Sequence, residues 1–177
     1  MLGPGDGTLS VRTKRTGAAA KAGHNLLLRV TSWEARLALG AGASDTSLEL
    51  DVDAGSLRVL EGTGGMQALG DDDKANIEKT IDDEVLKRKA ITFRSTAVQP
   101  AAGGGGLSVH GVLTLLGRSH PLAFEMAVAE GGTLSALAVV KQTDWGMKPY
   151  SALFGALKVV DEVEVEVEVH LPAPQSL

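Results

Sequence analysis

Four histidines, His24, His110, His120 and His170, are the side chains best suited to bind a metal or move a proton near neutral pH. Their spacing serves neither purpose, because no two fall at a metal-ligand interval and there is no H-x-x-x-H pair. The chain has no cysteine, which removes disulfides, thiolate metal sites and a thiol nucleophile. The acidic stretches "DVDAG" from Asp51 and "DDDKAN" from Asp71 resemble the start of a calcium loop, but neither has glycine at the sixth position. The first also places Gly62 where a bidentate acid belongs. "GTGGMQALG", Gly62 to Gly70, lacks the phosphate-binding lysine, and three aspartates follow where an anion would need a free helix N-terminus. No G-x-S-x-G elbow is present. No residue is therefore assigned a catalytic role, and neither a metal nor a cofactor is expected.

A formal net charge of −5, with lysines and arginines scattered along the chain, gives no basic footprint and argues against a nucleic-acid partner. "MLGPGDGTLSV" has neither a basic region nor an apolar run of signal-peptide length, and no stretch approaches a membrane span. A cytoplasmic protein is expected, with export left open. Its 177 residues, 44% of them apolar, suffice for a single domain, 1–177, with a real core.

The elements that would position any site are strands. In "DEVEVEVEVHL" Val163, Val165, Val167, Val169 and Leu171 alternate with four glutamates and His170, the period of a strand with one dry face. "SLELDVD" and "PLAFEMAV" repeat the pattern. In "NLLLRVTSWEARLAL" the apolar parity changes between Thr31 and Ser32, which predicts a bulge or sharp bend there. With further candidates the count reaches about eight strands, separated by glycine-rich turns, and the fold class is all-β: an extended antiparallel barrel. One segment has another period. Ile77, Ile81 and Val85 recur every four residues between early aspartates and late basic residues, predicting one amphipathic helix over about 71–88. That stripe is read as contacts between helix and barrel rather than with a ligand. Asp71, Asp72 and Asp73 are read as its cap and dipole partners.

Aromatics make up only 3% of the chain, so the strand interior is mostly Leu, Val and Ala. Eight strands enclose a space that side chains can just fill, or that holds one small ligand. Composition leaves both open. The connecting segment Asp144 to Leu157 carries Trp145, Tyr150 and Phe154, which is unusually apolar for a loop. It could plug one end of the barrel or line a mouth.

Four stretches in order resemble the YceI-like family of polyisoprenoid-binding proteins: "AGHNLLLRVTSWEARLAL", "ITFRST", "VHGVLTLLGRSHPLAF" and "KQTDWGMKPYSALFGALKVVDEVEVEVEV". The echoes are Phe93 and Ser95 in an F-x-S signature, Gly111 and Gly117 around "LTLLG", and Asp144 and Gly146 in a D-[FW]-G signature. One departure is the charged "DDEVLKRKA" before the F-x-S strand, where the family has aromatics. The resemblance implies a lipocalin-like barrel without catalytic residues, whose tunnel carries or stores a long-chain lipid such as a polyisoprenoid quinone or a fatty-acid derivative. A strand of about ten residues spans roughly 33 Å, and each buried methylene contributes about 0.8 kcal/mol, so a long tail could bind without polar contacts.

On this reading Leu28, Val30, Phe93, Leu113, Leu115, Phe124 and Met126 line the tunnel, with Trp145, Tyr150, Leu153 and Phe154 at its mouth. Simple core packing is the competing role for each. Arg118, His120 and Lys148 are the candidates to meet a head group. The competing function is a solid-cored barrel acting as a protein-interaction module through the apolar 144–157 loop. A homodimer is left open.

Overall fold

The computed structural model describes residues 1–172. Its strands are β1 (Gly7–Thr13), β2 (Arg15–Thr16), β3 (Asn25–Val30), β4 (Trp33–Ala38), β5 (Ser47–Val52) and β6 (Leu57–Thr63). After helix α1 (Asp71–Thr80) come β7 (Ile91–Pro100), β8 (Gly106–Leu115), β9 (Arg118–Val128) and β10 (Thr133–Lys141). The chain finishes with β11 (Ser151–Ala152), β12 (Leu157–Val159) and β13 (Glu162–His170). Ten strands form one curled antiparallel sheet in the order β4-β5-β7-β8-β9-β10-β13-β1-β3-β6, and β11-β12-β2 form a small second sheet.

The expected count of about eight becomes ten for a simple reason. β3 and β4 are one long strand broken at Thr31–Ser32, and β5 and β6 are its hairpin partner, broken opposite at Asp53–Ser56. Val30 still pairs with Leu57 and Trp33 with Val52. At the corner the Thr31 amide donates to the Ser56 carbonyl at 3.0 Å and the Asp53 amide to the Ser32 carbonyl at 3.1 Å. The bend expected from the parity change is therefore real, and it does more than re-aim side chains. Because β3 adds to β1 while β5 adds to β7, the bent hairpin joins the two ends of the sheet order and curls the sheet into a barrel. Near the N-terminus Leu2 exchanges both main-chain hydrogen bonds with Ala35 of β4, extending the closure.

Alternation along β13 separates two environments. Val163, Val165, Val167 and Val169 point inward, while the outward Glu166 and Glu164 pair with Arg12 of β1 and Lys14 just after it, at 2.9 and 3.4 Å. These ion pairs are solvent-exposed and add little stability. Their main effect is to keep the glutamates outside.

The helix is shorter than the predicted 71–88. Asp73 accepts from the Gly70 amide at 2.9 Å at its start, but regular α-helix stops at Thr80 and a wider π-type turn, Ile81–Val85, follows. There the Leu86 amide donates to the Ile81 carbonyl five residues back, at 2.8 Å. A stripe spaced by four drifts about 40° per step around an α-helix, which carries Val85 towards the rim of the face that Ile77 begins. The extra residue in the turn corrects the drift and lets Leu86 become buried. Lys87 and Arg88 then take positive φ, 52° and 55°, and the helical run ends. The helix lies along β6, whose exposed edge it satisfies: Glu78 Oε1 accepts from the Val59 amide at 2.9 Å. Among the described residues no helix is long and apolar enough to cross a membrane.

Candidate functional site

The inward faces of the curled sheet do not meet. They leave a cavity of about 600 Å³, within the range of small-molecule sites. Its wall is built by parity: Leu9 and Val11 from β1, Leu26, Leu28 and Val30 from β3, Leu48, Leu50 and Val52 from β5, and the four valines of β13. Ile77, Ile81 and Val85 complete it from the helical segment, so the stripe assigned to helix packing also faces the cavity.

Seven expected lining residues, Leu28, Val30, Phe93, Leu113, Leu115, Phe124 and Met126, all border this space. Phe93 and Phe124 pack at 5.5 Å between ring centroids, tilted by 52°. The Phe93 ring lies over Gly111 of β8, where a methyl group would collide with the ring and sit 2.5 Å from the Arg94 carbonyl oxygen. Nearby, the Ser95 hydroxyl accepts from the Leu48 amide at 2.9 Å, just where the β7–β8 register shifts between Ser95 and Ala97. The F-x-S pattern thus supplies one wall residue and one side chain that caps a main-chain donor at an irregular ladder.

The 144–157 loop divides into two parts with different roles. Its first part is a plug: Trp145 is 1% exposed and its Nε1–H donates to the Leu113 carbonyl at 2.7 Å, with Met147 buried beside it. Gly146 adopts φ 68° directly beneath the Arg118 guanidinium, where a side chain would be strained and would push the arginine aside. Asp161 fastens the turn to the start of β13, its carboxylate accepting from the Thr143 amide at 2.9 Å and the Thr143 hydroxyl at 2.6 Å. Those hydrogen bonds hold the Asp161 carboxyl below its ordinary value. Of the four mouth candidates only Tyr150 borders the cavity. Trp145 sits behind the wall, and Leu153 and Phe154 point into solvent, 55% and 112% exposed.

None of the three head-group candidates reaches the cavity. Arg118 caps Gly146, His120 packs edge-on against Trp145 at 5.0 Å, and Lys148 is exposed. The polar groups that do border it include Arg15, His24, Tyr150 and Lys158. They gather at one end: Arg15 pairs in register with Val159, the Val159 amide donates to the Tyr150 carbonyl, and the Arg15 and His24 side chains lie over Gly64 and Gly65. Tyr150 and Lys158 are solvent-exposed as well as cavity-lining, so this end is a mouth. Among the described residues no aspartate or glutamate borders the cavity. The sequence pattern names Tyr150 but misses Arg15 and Lys158, which lie on two- and three-residue strands too short to show a period. Among the described residues no group of three His, Cys, Asp or Glu side chains could hold a metal ion.

Residues 9–171 match the sequence profile of the YceI-like domain. The chain belongs to the YceI-like family. Among solved structures it is similar to BcnA of Burkholderia cenocepacia, with 18% identity, a TM-score of 0.68, and 92% of this chain and 94% of that one covered. It is also similar to the YceI protein of Campylobacter jejuni, with 15% identity, a TM-score of 0.59, and 80% and 81% covered. At these identities the likeness carries the YceI-like fold. Among curated protein sequences none matches the chain. The F-x-S and D-[FW]-G patterns of the YceI-like sequence serve the barrel: Ser95 and Trp145 bond to main chain, and of these residues only Phe93 lines the cavity.

Proposed function

We propose that the protein is a non-enzymatic carrier or store for a long-chain amphiphile, a polyisoprenoid quinone or a fatty-acid derivative, held with its tail along the barrel axis. One observation carries this reading: an open cavity walled by aliphatic side chains from nearly every strand and from the helix, with no carboxylate on its wall among the described residues. Each methylene that leaves water for such a wall gains about 0.8 kcal/mol, so affinity comes from tail length. The head group lies at the Arg15, His24, Tyr150 and Lys158 end, which favours ligands ending in hydrogen-bond acceptors. The competing reading, a solid-cored module, needs a filled axis, and the cavity of about 600 Å³ counts against it.

Trp33 borders the cavity whereas Trp145 lies behind its wall, so a Trp145→Phe variant leaves one reporter tryptophan. Titration of solvent-extracted protein with a long-chain quinone should quench Trp33 emission saturably. Emission unchanged by either quinone or fatty acid would end the carrier reading.

A further inference from the structure

The mouth is surrounded by three loops with an unusual composition. Residues 15–23, 62–70 and 145–160 carry Arg15, Lys21, Lys148 and Lys158 and not a single acid, in a chain that has 22 aspartates and glutamates. They are physically joined: Lys158 pairs with Thr16, the Ala19 amide donates to the Ala156 carbonyl at 2.9 Å, and Gly64 lies against Arg15. From the same loops large apolar side chains project into water, Leu153 and Phe154 at the tip of the β11–β12 hairpin and Met66, 81% exposed. The tip is also strained. Leu153 and Phe154 hold φ of 52° and 56°, a region that bulky side chains avoid. The stem of this hairpin, Tyr150, Leu157 and Val159, lines the cavity, while its tip presents Phe154 outward.

We infer that this face docks on an anionic lipid bilayer, with Leu153, Phe154 and Met66 entering the head-group layer and the lysines and Arg15 set against lipid phosphates. In a chain of net charge −5 the acid-free rim favours this face towards such a surface and so sets its orientation. Short apolar tips combined with adjacent cations are the ingredients of peripheral attachment. The orientation presses the cavity mouth to the membrane, and a long-chain ligand can pass between the two without crossing water. This goes beyond ligand storage, and vesicle attachment reads it whether or not the cavity is filled.

The test is co-sedimentation of the full chain with vesicles of phosphatidylcholine and phosphatidylglycerol at about seven to three, beside phosphatidylcholine alone. The wild type should partition onto the anionic vesicles, less so as salt is raised. The double variant Leu153→Asn/Phe154→Asn keeps residues that tolerate positive φ, so it should fold normally and lose about tenfold or more in partitioning. Lys21→Gln/Lys148→Gln should narrow the preference for anionic over neutral vesicles without touching the tip. The inference is overturned if the wild type stays in the supernatant with both vesicle types, or if the asparagine variant sediments as well as the wild type. It is equally overturned if the tip instead mediates self-association, seen as a dimer in light scattering that the asparagine variant dissolves while vesicle partitioning is unchanged.

Discussion

The indole nitrogen of Trp145 donates to the main-chain oxygen of Leu113 across 2.7 Å. This bond ties the loop that closes one end of the barrel to β8, whose Leu113 side chain borders the cavity. Trp145→Phe removes the donor while keeping most of the buried ring. It should lower unfolding free energy by about 1–3 kcal/mol in urea titrations, with ligand capacity retained. Trp145→Ala should cost about 3–5 kcal/mol.

Gly111 and Phe93 test the wall itself. Gly111→Ala places a methyl group against the Phe93 ring and 2.5 Å from the Arg94 carbonyl oxygen, which cannot yield without opening the β7–β8 ladder. A loss of about 1–3 kcal/mol is expected, together with weaker ligand uptake because Phe93 is displaced. Thermal unfolding and a ligand titration on one sample check both.

Ala136 of β10 sits opposite Val167 and borders the cavity. Ala136→Phe should fill part of the void, so that uptake of a long-chain ligand falls while thermal stability of the extracted protein holds or rises. If the axis were already filled, the same change would destabilise by about 1–3 kcal/mol. Calorimetry of the extracted variant decides between the two.

Acid should loosen the structure through two carboxylates. Asp161 is held low by its hydrogen bonds from Thr143, and Asp83 by those from Lys79 and Arg88. A carboxyl whose folded value is depressed contributes its full stability above the ordinary carboxylate range and loses it as pH falls through the folded value. Both groups are exposed to solvent, so the effect is modest. Asp161→Asn should lower stability modestly above pH ~6 and flatten the acid limb of a stability-against-pH curve.

The two candidate head-group sets separate cleanly in a binding assay. Arg15→Gln should weaken an acyl chain ending in carboxylate by about tenfold or less, in keeping with one partly exposed ion pair. Arg118→Gln should leave affinity unchanged, since Arg118 caps Gly146 outside the cavity. Isothermal titration with a fatty acid and its alcohol shows which cation matters.

Much of this architecture was legible from the period-two pattern. The four valines of β13 and the seven wall residues face inward because alternation leaves a strand residue only two directions. The parity change at Thr31–Ser32 located the corner, although nothing local could show that the corner joins the two ends of the sheet. Sequence pattern failed where geometry is set by tertiary contacts. The helix widens into a π-type turn at Ile81, where the period of four and the order of charges predict a regular helix to about residue 88. The sequence presents 144–157 as one apolar loop, yet Trp145 turns in to a carbonyl while Phe154 turns out. Recognisable motifs point to Arg118, His120 and Lys148 as head-group candidates, and these lie away from the cavity. The cations at the mouth come instead from short strands brought together by the register of β2 on β12.

The most direct test of an open, lipid-holding barrel is native mass spectrometry of the purified protein, before and after organic extraction, with a long-chain quinone or fatty acid then added back. One equivalent of bound lipid, removed by extraction and regained on addition, is the expected result. A single unliganded mass throughout, with no uptake of either compound, would contradict it.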